Sequence, residues 1–191
     1  MARNSHTVRV IGGEHRRRPL KVLDRPGLRP TPDRVRETLF NWLAAVTPGA
    51  RALDLFAGSG VLGLEALSRG AAWCDLVEKD GGAARLIGDN LDMLRLAERA
   101  RVHHADALAF LRKPPARPYD LAFLDPPYAS DLLGKALAVL AEPGWLAPEA
   151  RIYVELPSRQ GAPVVPDGWV LLRQGEAGEV GYYLFEISST D

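Results

Sequence analysis

Asp125, Pro126, Pro127 and Tyr128 follow directly on the run Asp120-Leu121-Ala122-Phe123-Leu124. Consecutive prolines fix φ and remove two backbone donors, leaving carbonyls that only accept hydrogen bonds. A rigid acceptor set beside an aromatic ring suits a planar base carrying an exocyclic amino group. Such a nitrogen is a poor nucleophile because its lone pair is delocalised into the ring. Hydrogen bonds from the amino group to the Asp125 carboxylate and the Pro126 carbonyl would favour a pyramidal nitrogen, its lone pair aimed at a sulfonium methyl. Tyr128 would stack on the base and fix its plane. Rate would come from orientation and electrostatics, without a strong base. A plain turn at a strand end is the competing reading of Asp-Pro-Pro alone.

A second constellation lies upstream. Asp54-Leu55-Phe56-Ala57-Gly58-Ser59-Gly60-Val61-Leu62-Gly63 closes an apolar run and opens a helical pattern, with Gly58, Gly60 and Gly63 in G-x-G-x-x-G spacing. Glycine lets the backbone turn sharply and approach a ligand closely. Glu78 ends the next apolar run, where its carboxylate can hold two ribose hydroxyls. The pair points to an adenosine-containing cofactor. The spacing alone fits either a dinucleotide or S-adenosylmethionine. Asp54 helps to separate them, because a carboxylate beside the loop opposes a pyrophosphate and favours the ammonium of a methionine tail. Asp106 can accept from an adenine amino group, and can also cap a helix beginning near Ala107.

The elements that must hold these groups follow from periodicity. Apolar runs at Ala52–Phe56, Trp73–Glu78, Arg101–His104 and Asp120–Leu124 alternate with helical patterns at Leu62–Leu67, Ala83–Leu96, Leu108–Arg112 and Leu132–Leu140. Such alternation predicts an α/β fold, a parallel sheet covered on both faces. Ile152–Leu156 and Val180–Ile187 form the last two strands, around a Gly/Pro-rich connection. Without a helix between them they should pair antiparallel at one edge. Upstream, strands Thr7–Ile11 and Leu20–Leu23 flank a Gly12-Gly13 turn and the Arg16-Arg17-Arg18 run. Pro26-Gly27 and Pro30-Thr31-Pro32 read as a linker. Thr31 or Asp33 can then cap a helix from about Arg34, with Val35, Leu39, Phe40, Trp42, Leu43 and Val46 on its apolar face. The expected division is a basic hairpin over 1–30 and a Rossmann-like domain over 31–191.

Composition sets the outer bounds. The 191 residues are 47% hydrophobic and 25% charged, enough for one full domain with a core. No run is long enough to span a membrane, the N-terminus lacks the apolar stretch of a secretory signal, and the default compartment is the cytoplasm. A lone Cys74 forms no internal disulfide, and four scattered His give no metal cluster. The net charge of zero hides an asymmetry: residues 1–40 carry ten Lys/Arg against four acids. A cationic arm on an anionic body suits a polyanionic partner.

The glycine loop with Asp125–Tyr128 resembles class I S-adenosylmethionine-dependent amino-methyltransferases of nucleic-acid bases. Val10-Ile11-Gly12-Gly13, Arg16-Arg17-Arg18 and Leu28-Arg29-Pro30-Thr31-Pro32-Asp33-Arg34-Val35-Arg36-Glu37-Thr38-Leu39-Phe40-Asn41-Trp42 narrow the match. With residues 54–67 they resemble the bacterial 16S ribosomal RNA guanine-N2 methyltransferases of the RsmD type, over essentially the whole chain. Arg17 departs from the pattern, which usually has Gly between two arginines. The resemblance implies a seven-stranded, mostly parallel sheet with its last strand antiparallel. It implies methyl transfer from S-adenosylmethionine, without a metal, to one guanine of 16S rRNA in a small-subunit particle, by a monomer. Carried residue by residue, Asp54, Phe56, Ala57, Gly58, Ser59 and Gly60 line the cofactor, Glu78 takes the ribose, and Asp106 with Ala107 the adenine. Thr31 and Arg36 lie near the methionine end. Asp125, Pro126, Pro127 and Tyr128 hold the target base, and Arg16, Arg17, Arg18 and Arg29 contact RNA. A DNA or other RNA amino-methyltransferase is the near alternative, a nicotinamide-dependent oxidoreductase the remote one, and a silent RNA-binding module a third.

Overall fold

Strands buried on both faces need helices on both sides, and the computed structural model has that layering. It describes residues 5–23, 30–128 and 130–188. A two-stranded hairpin, β1 (Ser5–Arg9) with β2 (Pro19–Leu23), precedes α1 (Asp33–Trp42). The core strands are β3 (Arg51–Asp54), β4 (Trp73–Glu78), β5 (Ala100–His104), β6 (Tyr119–Leu124), β7 (Leu146–Pro157), β8 (Trp169–Ala177) and β9 (Val180–Ile187). Between them run α2 (Val61–Ser68), α3 (Gly81–Met93), α4 (Ala107–Phe110) and α5 (Leu132–Leu140).

The seven strands are ordered β5-β4-β3-β6-β7-β9-β8. β3 to β7 are mutually parallel, and β9 pairs antiparallel with both β7 and β8. The order reverses between β3 and β6, which makes the carboxyl ends of these two strands the natural ligand crevice. Two expectations change here. The Gly/Pro-rich connection contains a whole strand, β8, and β8 occupies the edge that was expected of β9. Its exposure explains why it escapes a reading for apolar runs: none of its nine residues is fully buried.

One face carries the hairpin and helices α1, α2 and α3. Val10, Leu20 and Val22 of the hairpin segment join Leu39, Phe40, Leu64, Ile87, Leu76 and Phe123 in a single apolar cluster. The hairpin therefore shares the main core and does not stand outside it. α4 and α5 cover the other face through Ala107, Ala136, Leu137 and Leu140 against Leu53, Val77, Leu124 and Val154. Gly63 sets the spacing of α2 over the sheet, since a Cβ there would come within 2.6 Å of Leu76. No helix among the described residues is long and apolar enough to cross a membrane.

Buried polar groups fasten the hairpin. Both oxygens of Glu65 on α2 are engaged: the amides of Ile11 and Gly12 donate to it at 3.0 and 2.8 Å, and Arg69 Nε at 2.8 Å. Arg36 Nη1 completes the set at 3.3 Å, with neither Arg36 nor Glu65 side chain exposed. Asn90 on α3 clasps Lys21 from both sides, accepting from its amide at 3.0 Å and donating to its carbonyl at 2.8 Å. Each buried polar atom so matched avoids the cost of desolvation without a partner.

Candidate active site

Strand register brings the acidic groups together. Asp54 at the end of β3 is aligned with Leu76 of β4 and Phe123 of β6, and Phe123 with Tyr153 of β7. Aligned residues share a face and alternate along each strand, so Asp54, Glu78 and Glu155 point to the same side. β6 ends at Leu124 opposite Val154, and Asp125 leaves it beside Glu155.

The glycine loop crosses above Asp54. Gly58 and Gly60 have φ of 56° and 77°, and Gly60 starts α2 in the left-handed region that favours glycine. A Cβ on Gly60 would also meet Ile87 at 2.9 Å. Glu78 Oε2 accepts from the Gly58 amide at 2.7 Å and Oε1 from the Asp80 amide at 2.7 Å. Glu78 thus fixes the loop, and each oxygen keeps a lone pair for a hydroxyl. Asp54 Oδ2 accepts from the Gly63 amide at 3.0 Å. Burial, with Glu78 and Glu155 nearby, pushes the Asp54 carboxyl up to about 7. Phe56 and Ser59 are half-buried, and Ala57 is buried with its amide on the Val77 carbonyl.

Asp106 caps α4, its Oδ1 accepting from Leu108 and Ala109. Its carboxyl is exposed, and Ala107 behind it is buried. Capping and ligand contact remain compatible at this position, because both cap hydrogen bonds use the same oxygen.

The Asp-Pro-Pro-Tyr segment leaves β6 next to the end of β3. Pro126 is buried, Pro127 is exposed, and Tyr128 is 52% exposed. Ser130 Oγ donates to the Pro127 carbonyl at 2.8 Å, a brace with no signal in the sequence. Burial and the neighbouring Glu155 hold the Asp125 carboxyl well above the usual range. Glu155 is raised too, chiefly by burial, and the two carboxyls act on each other from adjacent strand ends. Thr31 Oγ1 donates to Glu155 Oε2 at 3.0 Å.

Three expectations shift. Thr31 does not cap α1, which begins after Pro32 without a side-chain cap, because its hydroxyl is committed to Glu155. Asp33 does not cap either, and pairs with Arg36. Arg36 is fully buried, its guanidinium taken up by the Thr31 and Arg9 carbonyls, Asp33 and Glu65. It positions the segment carrying Thr31 and has no donor left for a cofactor. Arg16, Arg17 and Arg18 are exposed as a phosphate-facing run requires, with Arg17 at φ 69°. Arg29 lies outside the described residues. Glu155 is the residue that sequence reasoning misses; one acid inside Ile152–Leu156 gives no signal until β6 is placed beside it. Among the described residues no group of three or more His, Cys, Asp or Glu is placed to hold a metal.

A glycine loop at the switch point, an acid closing the next strand, and a seventh antiparallel strand define a Rossmann-like methyltransferase of class I. A solved RNA methyltransferase from Salinibacter ruber, complexed with S-adenosyl-L-homocysteine, shares the fold at TM-score 0.64 and 18% identity, over 85% of this chain and 96% of that one. The family described as Conserved hypothetical protein 95 matches residues 8–186, and the chain belongs to it. Ribosomal RNA small subunit methyltransferase D of Escherichia coli K12 is 50% identical over 182 residues, 95% of this chain and 91% of that protein. The solved structure of Escherichia coli yhhF superposes at TM-score 0.89 with 45% identity, over 97% and 100% of the two chains.

Proposed function

We propose that this protein methylates the exocyclic N2 of one guanine in 16S rRNA, acting as a monomer on a small-subunit particle in the cytoplasm. What supports the reading is that Asp125–Tyr128 leave β6 at the switch point, beside the end of β3 from which the glycine loop departs. A planar base fits against the exposed Tyr128 ring with its amino group toward Asp125 and the Pro126 carbonyl.

The donor set suits S-adenosylmethionine. Glu78 has lone pairs left for the ribose hydroxyls, and Asp106 has an oxygen for the adenine amino group. Asp54, held near neutrality only by burial and neighbouring carboxyls, gains its charge readily beside a cation. When bound, that cofactor supplies an electrophilic sulfonium methyl. The chain's own residues orient and desolvate: Tyr128 fixes the base plane, Asp125 and Pro126 accept the amino hydrogens, and the buried Pro126 ring excludes water. No metal is needed for these roles. The exposed Arg16–Arg18 run would supply phosphate contacts without base information.

The test incubates the protein with labelled S-adenosylmethionine and small subunits from a strain lacking the enzyme, then maps the modified nucleoside by mass spectrometry. One N2-methylguanine in 16S rRNA, insensitive to chelators, is the expected product. Label on adenine or cytosine, on DNA, or at no nucleoside would overturn the assignment.

A further inference from the structure

We propose that Glu155 is a positioning residue for methyl transfer: it holds the single negative charge of the pair it forms with Asp125 and takes over the proton of Asp125 as the target amine gives up its own. The proposal rests on the reading of Asp125 as the residue facing the amino group, and deepens it.

The geometry is independent of any assignment of function. Glu155 is 3% exposed, within the buried stretch of β7 formed with Ile152, Tyr153, Val154 and Leu156. A buried acid in an apolar strand is costly unless its oxygens are matched. Its Oε2 accepts from Thr31, 124 residues away in sequence, and the carboxyl of Asp125 meets it from the adjacent strand end. Two carboxyls in contact, Glu155 fully buried and Asp125 half-buried, cannot readily both ionise, so the pair shares one proton and one negative charge. The Thr31 hydroxyl, donating to Glu155 at 3.0 Å, favours the charged form of Glu155 over that of Asp125. Asp125 is then the protonated member, its acidic hydrogen donated to Glu155.

Asp125 in that state presents a carbonyl oxygen to the crevice, an acceptor for one amino hydrogen. During transfer, N2 forms its bond to the methyl carbon while the carbon–sulfur pair stays on sulfur. N2 must then lose one proton. It passes to the waiting Asp125 oxygen as the hydrogen already on Asp125 moves to Glu155. The pair begins with one proton and a single negative charge and ends neutral with two. The positive charge that leaves the sulfonium thus arrives on the pair as a proton, and no net charge is created in the buried site. The other groups facing the pair are Asp54 from β3, Tyr153 on β7 and Tyr128 at the mouth. These add negative potential or none and keep the shared proton in place.

The experiment compares wild type with Glu155→Gln and Thr31→Val, with Asp125→Ala as the control for the underlying reading. Carbon-13-detected titration of the Asp125 carboxyl in the cofactor-free protein gives a readout apart from activity. Glu155→Gln should move that titration down by at least about one unit, because the opposing charge is gone. It should lower kcat on the order of 10²-fold with KM for the RNA within about twofold. Thr31→Val keeps both carboxyls but removes the donor to Glu155, so the acid limb of kcat should move to higher pH. Wild-type kcat and an unmoved Asp125 titration in Glu155→Gln would overturn the proposal. If Glu155→Gln fails to fold, an unmoved acid limb in Thr31→Val overturns it equally. Activity surviving in Asp125→Ala would instead sink the reading of the site itself.

Discussion

Asp54→Asn should make the cofactor-free protein more stable while weakening its hold on the cofactor. The folded protein keeps the Asp54 proton up to about pH 7, whereas an ordinary carboxyl titrates near 3.8. Across that window the unfolded state binds fewer protons, so stability falls as pH rises, and the loss is nearly complete once pH passes the folded value. At roughly 1.4 kcal/mol per unit the displacement is worth about 4 kcal/mol at its fullest. Relaxation and water entry reduce this, and a gain of about 2–3 kcal/mol for the variant at neutral pH is the working figure. Asparagine can still accept from the Gly63 amide, so the loop anchor survives. Urea unfolding near pH 5.5 and near pH 8 provides the assay, with wild type expected to lose about 1 kcal/mol more than the variant over that interval. Asp125 and Glu155 shift in the same direction, and for this reason the difference between the two proteins is the quantity read. Equal slopes, or a variant less stable than wild type at both pH values, would refute the argument from burial. Calorimetry should show the cost of that stability in weaker cofactor binding, a trade common where function needs a strained group.

Arg17→Gly should raise stability by about 0.5–1 kcal/mol, because a side chain at φ 69° carries the left-handed penalty that glycine escapes; thermal unfolding with a higher midpoint checks it. Glu65→Gln should cost about 1–3 kcal/mol in urea unfolding, because it leaves the buried Arg36 only the largely exposed Asp33 as counter-charge. Replacing Arg16, Arg17 and Arg18 by Ala should flatten the log–log salt dependence of RNA binding by about 2–3, one for each phosphate no longer neutralised. An unchanged slope in that variant would make the run mere solvated surface.

Local pattern told most where an element buries a continuous face. β4 spans Trp73–Glu78, buried on both sides, and α5 spans Leu132–Leu140, buried along one stripe, as the apolar runs alone predict. β8 was hidden because an exposed edge strand needs no apolar run to form, only a partner, and β9 supplies it. The site divides in the same way. Gly58, Gly60, Glu78 and Asp125–Tyr128 are legible as contiguous motifs whose residue types state their chemistry. Arg36 misleads, since an arginine in a signature segment looks like a ligand contact until its guanidinium is seen satisfying two carbonyls and two acids. Glu155 stays silent because its meaning comes from Asp125 on a neighbouring strand and Thr31 at the far end of the chain.

The clasp between hairpin and helices also constrains the order in which this chain can mature during synthesis. Ile11 and Gly12 wait for Glu65, 54 and 53 residues later, and Lys21 waits for Asn90, 69 residues later. The basic segment leaves the ribosome ahead of α2 and α3, and has nothing to dock against until they have followed. At about 5–20 residues per second it spends several seconds unanchored, with its apolar face of Val10, Leu20 and Val22 uncovered. Because these contacts are long-range, closure entropy is committed before they form, and the hairpin should be among the last parts of this face to settle. A nascent chain stalled before Asn90 would therefore expose the run of arginines on an unstructured tether, close to the ribosomal RNA that surrounds it.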